Sequence, residues 1–176
     1  MKSRKNMKKR SVVFSRISCV LLLLSSCLLF VSCGKDTKAA ALEKFANRDM
    51  AKINVAYNKF AKAYVASPSY AEGMEIYASY VNDTLLTQLD DIIKQTQAIK
   101  TSQKEIKALK DKYLKAMKGY KQALTQCATA ASAQDTQALE QARSEISNVG
   151  TDLQDYNDSL RALAKKYKMT VREPEH

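Results

Sequence analysis

Between Lys38 and Lys168 a single proline, Pro68, interrupts the chain, and glycine is confined to Gly73, Gly119 and Gly150. So long a stretch with so few backbone breakers, rich in Ala, Lys, Gln, Leu and Glu, has little choice but helix. The apolar residues recur at steps of three and four, and no stretch of period-two alternation competes with them. The clearest run is Leu139, Ala142, Ile146, Val149, Leu153, Tyr156, Leu160, Leu163 and Tyr167. Such a stripe is stable only when it is removed from water, so the helices must pack on one another.

The spacing predicts four helices. The first runs from about Lys38 to Ala66 with Leu42, Ala46, Met50, Ile53, Tyr57, Phe60 and Tyr64 on one face, and Pro68 ends it. Ser69-Tyr-Ala-Glu72 matches a capping box, which would start the second helix, carrying Tyr77, Val81, Leu85, Leu89, Ile92 and Ile99 to about Lys100. Ser102-Gln-Lys-Glu105 matches a second box, so a turn is favoured there over one long kinked helix. The third helix shows Ile106, Leu109, Tyr113, Ala116, Tyr120, Ala123 and Cys127, broadened by Met117 and Leu124. Asp135 is a good N-cap for the fourth. The expected fold is all-α, an elongated bundle of three to four long antiparallel helices.

Charge gives a separate handle on packing. From Lys100 to Lys121 eight lysines face only Glu105 and Asp111, whereas from Asp135 to Leu160 six acids face only Arg143. A short turn near residue 133 would lay the two segments side by side with Lys112 opposite Asp155. Exposed pairs of this kind set orientation more than stability, since each contributes only about 0 to 1 kcal/mol.

The beginning of the chain is of a different kind. Seven Lys and Arg residues and no acid occupy residues 1–32, and they lead into an apolar run from Ile17 to Ser32. A basic region, an apolar region and a small residue before a polar segment are the parts of a secretory signal. The run of 16 residues is shorter than the roughly 20 that a helix needs to span a bilayer core. A tilted signal anchor and a plain cleaved signal are the alternatives, and neither accounts for Cys33.

The stretch Phe30-Val31-Ser32-Cys33-Gly34 resembles the lipobox of bacterial lipoproteins, with Phe30 standing where that family usually has Leu. A second match, Leu24-Ser-Ser-Cys27, would leave an apolar stub on the mature protein. The resemblance implies a diacylglyceryl group on the Cys33 sulfur, cleavage between Ser32 and Cys33, and acylation of the new amino group. Two or three acyl chains anchor stably where one is marginal. The resulting expectation is a signal peptide over 1–32, a lipidated Cys33 with a tether over 33–38, a helical domain over 39–169, and a flexible tail over 170–176. The location would be the bacterial cell envelope, with the outer membrane favoured in a two-membraned cell because Gly34, not Asp, follows Cys33.

Beyond residue 32 the balance falls from +11 to +4, with 22 basic residues against 18 acidic ones. That argues against a dedicated nucleic-acid binder, which would concentrate basic charge on one face. Cys127 would be the one thiol left unmodified, and its place on the third stripe predicts a buried, inert group. The sole histidine, His176, ends the chain, so no Ser–His or Cys–His pair is expected within a helical core. Bundle-type metal sites need Glu-x-x-His pairs, which the sequence lacks. Adjacent Asp90 and Asp91 point to different sides of a helix and read as surface charge. No cofactor, metal or nucleic acid is therefore expected, and the chain is read as a non-enzyme.

Most tyrosines fall on the stripes and read as core, while Tyr70 and Tyr80, off the main stripe, are the best candidates to line a ligand groove. The mature part resembles the small all-helical lipoproteins of bacterial envelopes. That resemblance implies a non-catalytic interaction or scaffold module whose partners are the membrane, through Cys33, and an envelope protein. A surface-exposed binder of a host or environmental macromolecule and a carrier of a hydrophobic ligand are the alternatives.

Overall fold

The computed structural model describes residues 29–31 and 36–172. Four helices account for nearly all of it. Helix α1 (37–65) is α-helical over Thr37–Lys44 and Met50–Val65, with a π-helical turn at Phe45–Asp49 between them. Helix α2 (74–98) is built the same way, with Met74–Tyr80 and Thr87–Ala98 flanking a π-helical Val81–Leu86. Helices α3 (Lys104–Ser132) and α4 (Thr136–Lys166) are uninterrupted. A short antiparallel ladder pairs β1 (Leu29–Val31) with β2 (Thr170–Arg172), Phe30 opposite Val171.

The π turns have a cause in the sequence. In α1 the buried stripe includes Leu42, Phe45, Met50 and Ile53, and the step of five from Phe45 to Met50 would swing Met50 off the face of a regular α-helix. One wider i→i+5 turn restores it. Ala46, expected on the stripe, is only half-buried, and Phe45 takes its place. In α2 the stripe Tyr77, Val81, Leu85, Leu89 steps by four throughout. Steps of four drift by about 40° each on an α-helix, and the wide turn at Val81–Leu86 absorbs the drift.

Helix starts divide between the expected and the unexpected. Asp36 and Asp135 cap α1 and α4, accepting from the amides of Lys38 and Ala138 at 2.8 and 2.9 Å. Thr37 and Lys38, expected in the tether, are already helical. Ser69 does not start α2: its hydroxyl accepts from the Ala71 amide and its carbonyl from the Glu72 amide, closing a local turn. The helix begins only after Gly73, where φ is 158° and a Cβ would stand 3.3 Å from the Ile76 side chain. Gln103, not Ser102, precedes α3, and the extended Ile99 makes α2 and α3 separate helices.

Helix α3 packs against both α2 and α4. Lys112 donates to Asp155 at 2.7 and 2.8 Å, Lys115 to Asp152 at 2.7 Å and Lys166 to Glu105 at 3.2 Å, so positions on α4 fall as those on α3 rise. Gly119 packs tightly against α4, since a Cβ there would stand 3.2 Å from a Val149 methyl. Lys121 reaches Asp90 on α2 at 2.6 Å.

Several core contacts are between aromatic rings. Phe60 has Tyr57, Tyr64 and Tyr120 around it at ring separations of 6.0 to 6.2 Å, and Tyr113 meets Tyr156 edge to face at 5.2 Å. Such tilted pairs add to burial by matching ring edges to ring faces. Leu153, at the middle of the α4 stripe, is 2% exposed.

Candidate functional site

Ser32 and Cys33, the expected cleavage and lipidation positions, lie outside the described residues, as does His176. What is described is where their part of the chain enters the domain. Asp36 caps α1, and the first turn of that helix lies beside the start of α3 and the end of α4: Lys38 acts electrostatically on Glu105, and so does the Lys166 side chain bonded to it. The Lys166 hydrogen bond is the main reason that the Glu105 carboxyl is held below its ordinary pKa. Tyr167, beside Glu105 and Asp36, completes this end of the molecule. The ladder with β2 also lies here, so Thr170–Arg172, expected within a flexible tail, is paired.

The opposite end holds the two tyrosines singled out as groove candidates, and each is half-buried with its hydroxyl bonded to a neighbouring element. The Tyr70 hydroxyl donates to Glu140 at 2.8 Å, the Arg143 guanidinium sits 4.8 Å from the centre of its ring, and Arg143 also donates to Glu140 at 3.1 Å. Tyr77 meets the Tyr70 ring edge-on at 6.5 Å. These contacts fasten the connection between α1 and α2 onto α4. The Tyr80 hydroxyl donates to the Ala63 carbonyl at 2.9 Å, tying α2 to α1. Arg143 was legible only as a lone cation among acids, and nothing in the sequence spacing links it to Tyr70.

Cys127 is a buried free thiol beside Tyr77, and burial pushes its pKa up to about 11. A thiol so protonated is a poor nucleophile and a poor metal ligand. Deeper in the bundle, burial pushes the Tyr120 hydroxyl up to about 12 and raises Tyr57, Tyr113 and Tyr156 further. The Tyr113 hydroxyl has no hydrogen-bond partner, which makes its ionised form especially unfavourable. Asp90 pairs with Lys121 and Asp91 accepts from Gln95, each on its own side of α2.

Two surface depressions flank the far end. One, about 420 Å³, is bordered by Thr125, Thr129, Asp135, Gln141 and Glu145, and the other, about 320 Å³, by Glu75, Ser79, Asn82 and Ser132. Among the described residues no group of three or more His, Cys, Asp or Glu side chains is arranged to hold a metal ion. No described helix is long and apolar enough to cross a membrane. The chain matches no known protein family, no curated protein and no solved structure.

Proposed function

We propose that the chain is a bacterial lipoprotein whose mature part is a non-catalytic helical scaffold, anchored through acyl chains on Cys33 and presenting its surface to an envelope partner. The observation that carries this reading is the joining of a lipobox-like Phe30-Val31-Ser32-Cys33 to a folded domain that begins at Asp36. Three residues of tether reach at most about 10 Å, so one end of the domain would stay against the membrane. The four helices are read as an elongated antiparallel bundle. At 1.5 Å per residue the 29 residues of α3 extend about 43 Å, so the loops between α1 and α2 and between α3 and α4 would be held away from the lipid, where a partner can reach them. The buried stripes and polar outer faces support scaffolding over catalysis, since the residues of greatest chemical potential, Cys127 and the core tyrosines, are held in their neutral forms.

Growth with an alkyne fatty acid tests the anchor: the wild type becomes labelled, Cys33→Ser does not, and equal labelling of both rejects the assignment. Crosslinking in intact cells followed by purification tests the scaffold reading, which requires a recurring envelope protein captured through the 66–73 or 133–135 loops. Digestion of the domain by protease added to intact cells would instead favour the surface-exposed binder.

A further inference from the structure

The charges of this molecule are sorted along its length. At the end where α1 begins, Lys38, Lys100, Lys104, Lys165 and Lys168 are all exposed and none forms an ion pair among the described residues. They come from four separate stretches of chain: the start of α1, the α2–α3 connection, the start of α3 and the end of α4. The fold gathers them, because Lys166 bonds to Glu105, Lys38 lies near the same carboxylate and Lys110 donates to the Ile99 carbonyl at 3.0 Å. Of the acids at this end, Glu105 is already engaged by Lys166, which leaves Asp36 and, about two turns further in, Glu43 and Asp158. The other end has the opposite sign: Glu72, Glu75, Asp135, Glu140 and Glu145 are exposed there, against Lys59, Lys62 and the half-buried Arg143. The bland alternative is a set of solvated lysines, but that gives no reason for the two ends to differ in sign or for the cationic end to be the one that carries the chain towards Cys33.

We propose that this end of the bundle is a second membrane-contact surface, in which Lys38, Lys100, Lys104, Lys165 and Lys168 lie against anionic phospholipid headgroups. The proposal rests on the lipid-anchored reading for its geometry: with Cys33 three residues before Asp36, a tether of at most about 10 Å lets this end approach the headgroups to about the Debye length, about 8 Å at physiological ionic strength. Lysines so placed are each attracted by a negative surface. Acyl chains alone hold the protein to the bilayer without fixing its attitude, whereas five cations spread over four chain segments would stand the bundle upright and turn its acidic end outward.

Residue-resolved acetylation tests this. Full-length protein purified from cell membranes is reconstituted into vesicles of phosphatidylcholine alone or of equal parts phosphatidylglycerol and phosphatidylcholine, treated with a water-soluble acetylating reagent, and read by mass spectrometry. In the anionic vesicles the five lysines should react several-fold more slowly than in the neutral ones, the difference should vanish in 0.5 M salt on the order of the screening expected, and Lys59, Lys62 and Lys118 should be unchanged. Equal rates at both ends, protection that is the same in neutral vesicles, or protection that appears only in native membranes would overturn it, the last in favour of a protein partner. In the Cys33→Ser background, Lys100→Glu with Lys104→Glu and Lys168→Glu should weaken flotation with anionic vesicles by about tenfold or more, with the helical circular dichroism signal retained. Failure of the anchor reading shows instead as loss of fatty-acid labelling at Cys33 with the lysine protection intact, so the two outcomes are separable.

Discussion

The residue that best tests the core is Leu153, buried at the midpoint of the longest stripe. Leu153→Ala should cost on the order of 2 to 5 kcal/mol in urea unfolding of the full chain, and a loss below about 0.5 kcal/mol would contradict its core role. Tyr113 behaves differently, because its ring stabilises while its hydroxyl is buried without a partner. Tyr113→Phe removes only the cost of dehydrating that hydroxyl and should raise stability on the order of 1 kcal/mol; a clear loss would mean that the hydroxyl is satisfied. The core tyrosines set a pH limit. Their pKa values are raised by burial in the folded state, so the unfolded chain releases protons first as pH passes the ordinary tyrosine value of about 10. The stability they confer is therefore complete below about pH 10 and declines above it. An alkaline titration followed by circular dichroism and tyrosinate absorbance should show unfolding and ionisation together, and early, separate ionisation of all nine tyrosines would contradict this. That these side chains are core was legible from their spacing. Which hydroxyls lack a partner was not, because that depends on what other helices place beside them.

At the scale of elements, the fourth helix and its Asp135 cap could be read directly, since a cap and a three-four stripe are properties of neighbouring residues. The Ser69 capping pattern misled for a physical reason. Ser69 makes the local bond that a cap makes, but with the chain turning back on itself, and Tyr70 is held away by Glu140 and Arg143 on α4. The π turns were hidden in plain numbers, the step of five in α1 and the unbroken fours in α2. The pairing of α3 with α4 was accessible because turn position, stripe phase and charge agree, and Lys112 does meet Asp155. The pair is partly exposed and should contribute a few tenths of a kcal/mol, less in high salt. Lys112→Glu should lower the urea midpoint at low salt, and adding Asp155→Lys should recover much of the loss; no recovery would place the register elsewhere. The clamp at the far end carries a sharper expectation. Arg143→Ala removes both the cation over the Tyr70 ring and a bond to Glu140, so proteolysis should quicken within residues 66–73 before the helices open, and unchanged cleavage there would mean that the connection is held by other contacts.

For the whole molecule, the buried core described here runs from Ala39 to Met169, so a chain lacking residues 1–32 should keep its helical circular dichroism although it loses the β1 half of the ladder. A collapse of helicity on that deletion would show that the ladder is more than an addition to a self-sufficient bundle. The sequence by itself determined that this is a helical protein, roughly where its helices lie and which face of each is buried, because hydrogen bonding from i to i+4 and a period of 3.6 residues are local and leave their mark within a few turns. The tertiary structure alone decided that Phe60 sits on Tyr120, that Tyr70 is clasped by Arg143, that the Tyr113 hydroxyl is stranded, and that lysines from four stretches of chain share one end. Those facts depend on distances between residues far apart in the chain, which are fixed only when the apolar stripes have chosen their partners and the helices have settled into register.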